Sequence, residues 1–157
     1  MAVSHDIPTF RRRLRQIGEN VFRNSNFIRR EAAKEALREL ILVTPVDTGE
    51  ARSNWRVALG DPPGGIIPPY APGEHLGINE RANASAAIGA GFAAIDSSPD
   101  GADLVIFNNT RQIFFLDQGT SEQAPANFFL KAIKTAQRRI QRGKLLEGPR
   151  LRIGARR

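Results

Sequence analysis

Apolar residues recur at helical spacing through the first quarter of the chain. Phe10, Leu14, Ile17 and Val21 follow one another at intervals of four, three and four, and Ile28, Ala32, Ala36, Leu37, Leu40 and Ile41 continue the stripe. Charges fill the opposite side, among them Arg11, Arg12, Arg15, Arg30 and Glu39. This pattern predicts an amphipathic helix over residues 7–43, with a break expected at Asn24-Ser25-Asn26. Glu31 with Lys34 and Glu35 with Arg38 are favourable pairs at i,i+3. Pro45 lacks an amide hydrogen and disfavours helix in the residue before it, so the helix should stop near Val43 or Thr44. At about 1.5 Å per residue it is long for a chain of this size, and its stripe needs a broad sheet or a neighbouring subunit to cover it.

Beyond the helix the pattern changes. Asp47 and Thr48 favour caps and turns, and Gly49 supplies backbone freedom. Ser53 to Val57 read as extended, with Trp55 and Val57 on one face. Trp55, the single tryptophan, reads as a core anchor, with an interface hot spot as the alternative. The Pro/Gly-rich stretch 58–76 cannot sustain regular structure. Residues 79–95 read as a small-residue helix, weakened by Gly89 and Gly91. Leu104 to Asn108 is a short buried strand; Ile113 to Leu116 is a strand or a single helical turn. After a loop at 117–121, Pro125 suits the first position of a last helix, 125–142. Its stripe is Phe128, Phe129, Ala132, Ile133, Ala136 and Ile140, opposite Lys131, Lys134, Arg138 and Arg139. The expected fold is α+β: a small, mainly antiparallel sheet flanked by a long N-terminal helix and a C-terminal helix. One domain spans 1–142 and a basic arm follows at 143–157, to be ordered by a partner.

Composition and charge narrow the function. The absence of cysteine excludes disulfides, thiolate catalysis and cysteine zinc sites. No run of about 18 apolar residues predicts a membrane span, and no apolar signal core opens the chain, so it is expected to stay in the cytoplasm where it is made. The net charge of +7 is unevenly placed: nine basic against five acidic residues in 1–40, four against ten in 41–130, ten against one in 131–157. That distribution reads either as charge-complementary assembly, as a surface for nucleic acid, or as plain solvated helix faces. Arg138, Arg139, Arg142 and Lys144 are the candidate DNA or partner contacts; without interleaved aromatics they would neutralise phosphates rather than stack on bases. His5 and His75 show no metal-ligand spacing. Asp47, Glu50, Asp117 and Glu122 could share a hard cation, although capping and salt-bridging account for Asp47 and Glu50 more simply. No phosphate loop and no Gly-x-Ser-x-Gly elbow is present. No cofactor is expected.

Two motifs stand in order along the chain. The first is Thr44-Pro45-Val46-Asp47-Thr48-Gly49 followed by Arg52-Ser53-Asn54-Trp55. The second is Phe107-Asn108-Asn109, then Leu116-Asp117-Gln118-Gly119-Thr120-Ser121 and Gln123-Ala124-Pro125. Together, over about residues 28–140, they resemble the tail-completion (neck, head–tail joining) proteins of long-tailed bacteriophages. Asp117 stands where that family usually has Glu. Gln112-Ile113 stand where it has Tyr-Ala, with Phe114 nearby to supply the aromatic. The resemblance implies a non-enzymatic structural protein of the virion neck or tail, made in the host cytoplasm. It also implies a homo-oligomeric ring, six-fold or alternatively twelve-fold, that meets tail terminator, tail tube and head connector. Pro45, Asp47, Thr48, Gly49, Trp55, Asn108, Phe114, Asp117, Gly119, Ser121 and Pro125 are then the structural and interface candidates. The alternative is a non-specific DNA-binding protein that uses the basic termini.

Overall fold

A computed structural model describes residues 7–46, 48–73, 77–119 and 126–142. The chain runs α1 (Ile7–Val43), α2 (Glu50–Ser53), β1 (Arg56–Leu59), α3 (Glu80–Asp96), β2 (Leu104–Phe107), α4 (Arg111–Asp117) and α5 (Phe128–Gln141). β1 and β2 pair antiparallel, Arg56 opposite Phe107 and Leu59 opposite Leu104. The α+β class expected from the pattern is therefore present, with α1 and α5 as the flanking helices.

The core forms where α1, α3 and α5 meet the two strands. Leu37, Leu40 and Ile41 of α1 pack with Ala84, Ala87 and Ile95 of α3, with Ala132 of α5 and with Trp55. Val57 and Ile106, paired across the ladder, close it from the sheet side. Small residues let the helices approach: a Cβ on Gly91 of α3 would collide with Leu37 Cδ2. The glycines that weaken α3 as an isolated helix thus include one that its packing requires.

α5 lies antiparallel to α1. At its start, Phe129 stacks on Trp55 at 5.8 Å between ring centroids, and Trp55 reaches Thr44 at the C-terminal end of α1. Ten residues on, Arg139 forms ion pairs with Glu35 and Glu39 of α1, the latter at 2.7 Å.

Three expectations need correction, and one open alternative is settled. α1 is continuous through Asn24-Ser25-Asn26. Asn26 is buried there: its amide donates to Phe22 O, and its side-chain oxygen accepts from Gly101 N. The polar residue serves a tertiary contact instead of breaking the helix. Ser53 and Asn54 are not strand but the last turn of α2 and its cap. Ile113 to Leu116 resolve as helix, within α4. The last helix begins at Phe128, after Asn127 in the left-handed region, rather than at 125; Pro125 lies outside the described residues.

The stripe of α1 is only partly covered. From Asn26 onward the helix packs on α3 and the turn after it. Before that point Phe10 (61% exposed), Leu14, Ile17, Val21 and Phe22 all face solvent.

Candidate functional site

The two sequence motifs come together at the C-terminal end of α1, and a buried polar network joins them. Pro45 ends the helical pattern and leaves the last carbonyls of α1 without amide partners. Arg52 supplies them. Its guanidinium donates to Thr44 O at 2.6 Å and to Leu42 O at 3.5 Å, which places a cation at the negative end of the helix dipole. The same side chain, buried on α2, pairs with Glu80 at 2.7 Å and so ties α1 to the start of α3. Thr44 donates its hydroxyl to Leu40 O and accepts Trp55 Nε1–H at 2.7 Å. The indole is thus fully satisfied in the core, as a buried tryptophan must be. The core reading of Trp55 holds.

Gly49 precedes α2 with φ +86°, a conformation costly for side chains with a Cβ. There is no room for one either, since it would meet Asn83 Nδ2. Asp47 lies outside the described residues and Thr48 is exposed. No side-chain cap serves α2, whose first turn holds Glu50.

Two asparagines that were not among the site candidates hold the Pro/Gly loop. Asn54 donates to Ile67 O at 2.7 Å and accepts from Ile67 N at 2.8 Å. Asn83 does the same with Ala71, both bonds at 2.8 Å. Each carboxamide offers one donor and one acceptor to one residue's backbone, as a neighbouring strand would. Ser53 completes the set: its hydroxyl donates to Asn83 Oδ1 and accepts from Tyr70 N. Asn83, which opens an Asn-Ala-Ser triplet that matches a glycosylation pattern on paper, is therefore a buried structural anchor. The available signal was a lone asparagine on the apolar side of an alanine-rich helix.

The second motif attaches to the first through Asn108 and to the loop through Asn109. Asn108, just past β2, donates to Ala51 O at 2.7 Å and accepts from Thr110 N and Oγ1, starting α4 with an Asx turn. Asn109 reaches Pro63 O and Gly65 O at the near end of the loop. Asp117, at the end of α4, accepts Phe129 N–H on its carboxylate at 2.9 Å and Asn127 N–H on its carbonyl at 2.7 Å. A carboxylate on the free amides of α5 is favourable on both hydrogen-bonding and dipole grounds. Gly119 follows at φ +86°, where a Cβ would sit 2.8 Å from Ala126 Cβ. Phe114 does not fill a core site. It is 64% exposed, edge-on to Phe115. Ser121 and Glu122 lie outside the described residues.

Among the described residues no three histidine or carboxylate side chains gather to hold a metal ion. The basic candidates divide. Arg139 is committed to Glu35 and Glu39, Arg138 and Arg142 are exposed, and Lys144 lies outside the described residues. A groove of about 390 Å³ runs beside α1 and the turn after α3, lined by Arg23, Arg30, Lys34, Glu31, Asp96 and Asp100 among others. Three cations face three carboxylates there, leaving no surplus charge for an ionic ligand. Arg30 bridges to Asp100, and Lys34 to Asp96 and Glu31. Burial works against the charge on Lys34, but hydrogen bonds to Asp96 and Glu31 and the charges of both outweigh it, so its pKa is raised. Among the described residues no helix is long and apolar enough to cross a membrane.

No family model, no curated protein and no solved structure matches this chain.

Proposed function

We propose that this chain is a structural component of a phage neck or tail, a ring-forming tail-completion subunit that joins the tail to the head connector. The observation that carries the reading is the uncovered N-terminal half of α1. Several turns of regular helix present large apolar side chains that nothing in the described chain covers, as a subunit built for assembly would. The two motifs that resemble the tail-completion family agree with it. Their polar side chains are spent on fixing backbone: Arg52 on α1, Asn54 on the loop, Asn108 on α2, Asp117 on α5. A rigid frame of that kind suits a part whose work is to hold its neighbours at set angles.

Virions of the phage that encodes the chain test this directly by quantitative mass spectrometry against the major tail protein. A fixed count of about six, or about twelve, is expected from closed ring symmetry. Absence from mature particles overturns the reading and favours the second one, non-specific DNA binding. That reading draws on the exposed Arg138 and Arg142 and on Arg11, Arg12, Arg13 and Arg15 of α1. It requires DNA affinity that falls steeply with salt.

A further inference from the structure

Among the described residues β1 and β2 form a two-stranded sheet, each paired only with the other. Gly60 N–H donates to Asp103 O, one step beyond the ladder that sets Arg56 opposite Phe107. The pairs that exchange hydrogen bonds are therefore Ala58 with Val105 and Arg56 with Phe107. The amides and carbonyls of Leu104 and Ile106 point the other way, to an outer edge where no described residue bonds to them. Such an edge invites another strand, and proteins blunt it with charge, proline or a covering segment. β1 is blunted: it opens on Arg56 and leads into Asp61-Pro62-Pro63. β2, Leu104-Val105-Ile106-Phe107, carries neither charge nor proline. Beneath the sheet α3 packs against β1, α1 against β2, and α5 against α1. The open edge of β2 is thus the one on the α5 side.

The C-terminal arm carries a segment fitted to that edge. Arg150-Leu151-Arg152-Ile153 alternates polar and apolar, with Pro149 before it and Gly154 after, the sequence signature of a short half-buried strand. Its length equals that of β2. The arm lies outside the described residues, but the place it starts from is fixed. α5 runs antiparallel to α1 and brings Arg139 to Glu35, while Asp100, shortly before β2, pairs with Arg30. The end of α5 and the start of β2 therefore lie at the same end of the core. Residues 142–149 can span about 26 Å at about 3.3 Å each, well over the ~10 Å width of a helix. We infer that residues 150–153 add to β2 of their own chain as a third, parallel strand, with Leu151 opposite Leu104 and Ile153 opposite Ile106. α4 and α5 then form the crossover that a parallel pair needs. Leu151 and Ile153 extend the apolar face of Leu104 and Ile106 toward α5, where Ile133 is only partly buried. Arg150 and Arg152 take the opposite face. A slip of one residue would turn both arginines inward, which fixes the register. The inference concerns the arm alone and stands apart from the neck reading.

Amide exchange, read residue by residue by NMR on the full-length chain, tests the added strand. In this ladder Leu104 N–H donates to Arg150 O and Ile106 N–H to Arg152 O, while Arg152 N–H donates to Leu104 O. The amides of Leu104 and Ile106 should exchange about tenfold or more slowly than those of Val57 and Leu59, which point to the opposite edge. Arg152→Pro removes a donor from the middle of the ladder. It should abolish that difference while the core amides of Leu37 and Ile41 keep their protection, and Arg152→Lys should preserve it. Leu104 and Ile106 exchanging as fast as Val57 and Leu59 in the parent overturns the inference, as does protection that survives Arg152→Pro. Protection that fades on dilution also overturns it, since the strand would then come from a second copy.

Discussion

The carboxamide of Asn83 shows how much one side chain can hold here. The side chain is fully buried; it satisfies both backbone groups of the half-buried Ala71 and receives the hydroxyl of the buried Ser53. Asn83→Ala leaves three groups without partners. A net hydrogen bond is worth about 1 kcal/mol and a buried orphan costs about 1–3 kcal/mol, so a loss of about 2–4 kcal/mol is expected in urea unfolding. Asn83→Asp keeps the shape but cannot donate to Ala71 O, and should be nearly as damaging at neutral pH. If it retained parental stability, the loop would not depend on that bond. At Gly49 two costs coincide, a left-handed backbone and a collision with the same asparagine. Gly49→Ala should lower the free energy of unfolding, read in the same urea titration, by at least the cost of the backbone alone, about 1–2 kcal/mol. Neither asparagine of the network was legible as a site. Asn54 sat in a run that alternation presents as strand, and Asn83 in one that composition presents as a plain alanine helix. The hydrogen-bonding partners of both lie 12 or 13 residues away in a loop without periodicity.

At the scale of elements, α1 against α3 is the contact that most constrains the core. Gly91 faces Leu37 with no space for a methyl group. Gly91→Ala raises helix propensity but overpacks the seam, for which a cost of about 1–3 kcal/mol is typical. Calorimetry should find the variant less stable despite the better helix former. The same seam is tied by Lys34 to Asp96, with Glu31 of α1 pairing to the same ammonium. Its raised pKa means that folding holds the proton more tightly than the unfolded chain does. The resulting stabilisation is complete below the ordinary lysine pKa and lost as the pH climbs through the folded one. A parent compared with Lys34→Met across alkaline pH should show a stability gap that narrows only in that range; a gap constant with pH would contradict it. Elements whose pattern is local were read well: Pro45 stops α1 near Val43, Leu104 to Phe107 is a strand, and Ala132 and Ala136 face inward. The misreadings share a cause. Periodicity reports that a face is apolar, not what covers it, so Phe10 to Val21 and Leu37 to Ile41 look alike in sequence although only the second group is core.

For the whole molecule, that distinction predicts separable parts. None of the described residues up to Phe22 belongs to the buried core, whose apolar members on α1 are Leu37, Leu40 and Ile41, so the predicted cost of removing residues 1–22 is small. The truncated chain should melt within a few degrees of the parent, and self-association should vanish. A collapse in melting temperature would mean that the first turns of α1 belong to the fold after all. The loop between β1 and α3 leads to a different consequence. Its grip at Ile67 and Ala71 is made on peptide groups, which every residue except proline offers in full. Evolution can therefore rewrite the exposed stretch 61–66 without renegotiating the frame beneath it, much as a tool head is exchanged on a fixed handle. Lineages carrying this frame should keep the two asparagines while diversifying residues 61–66.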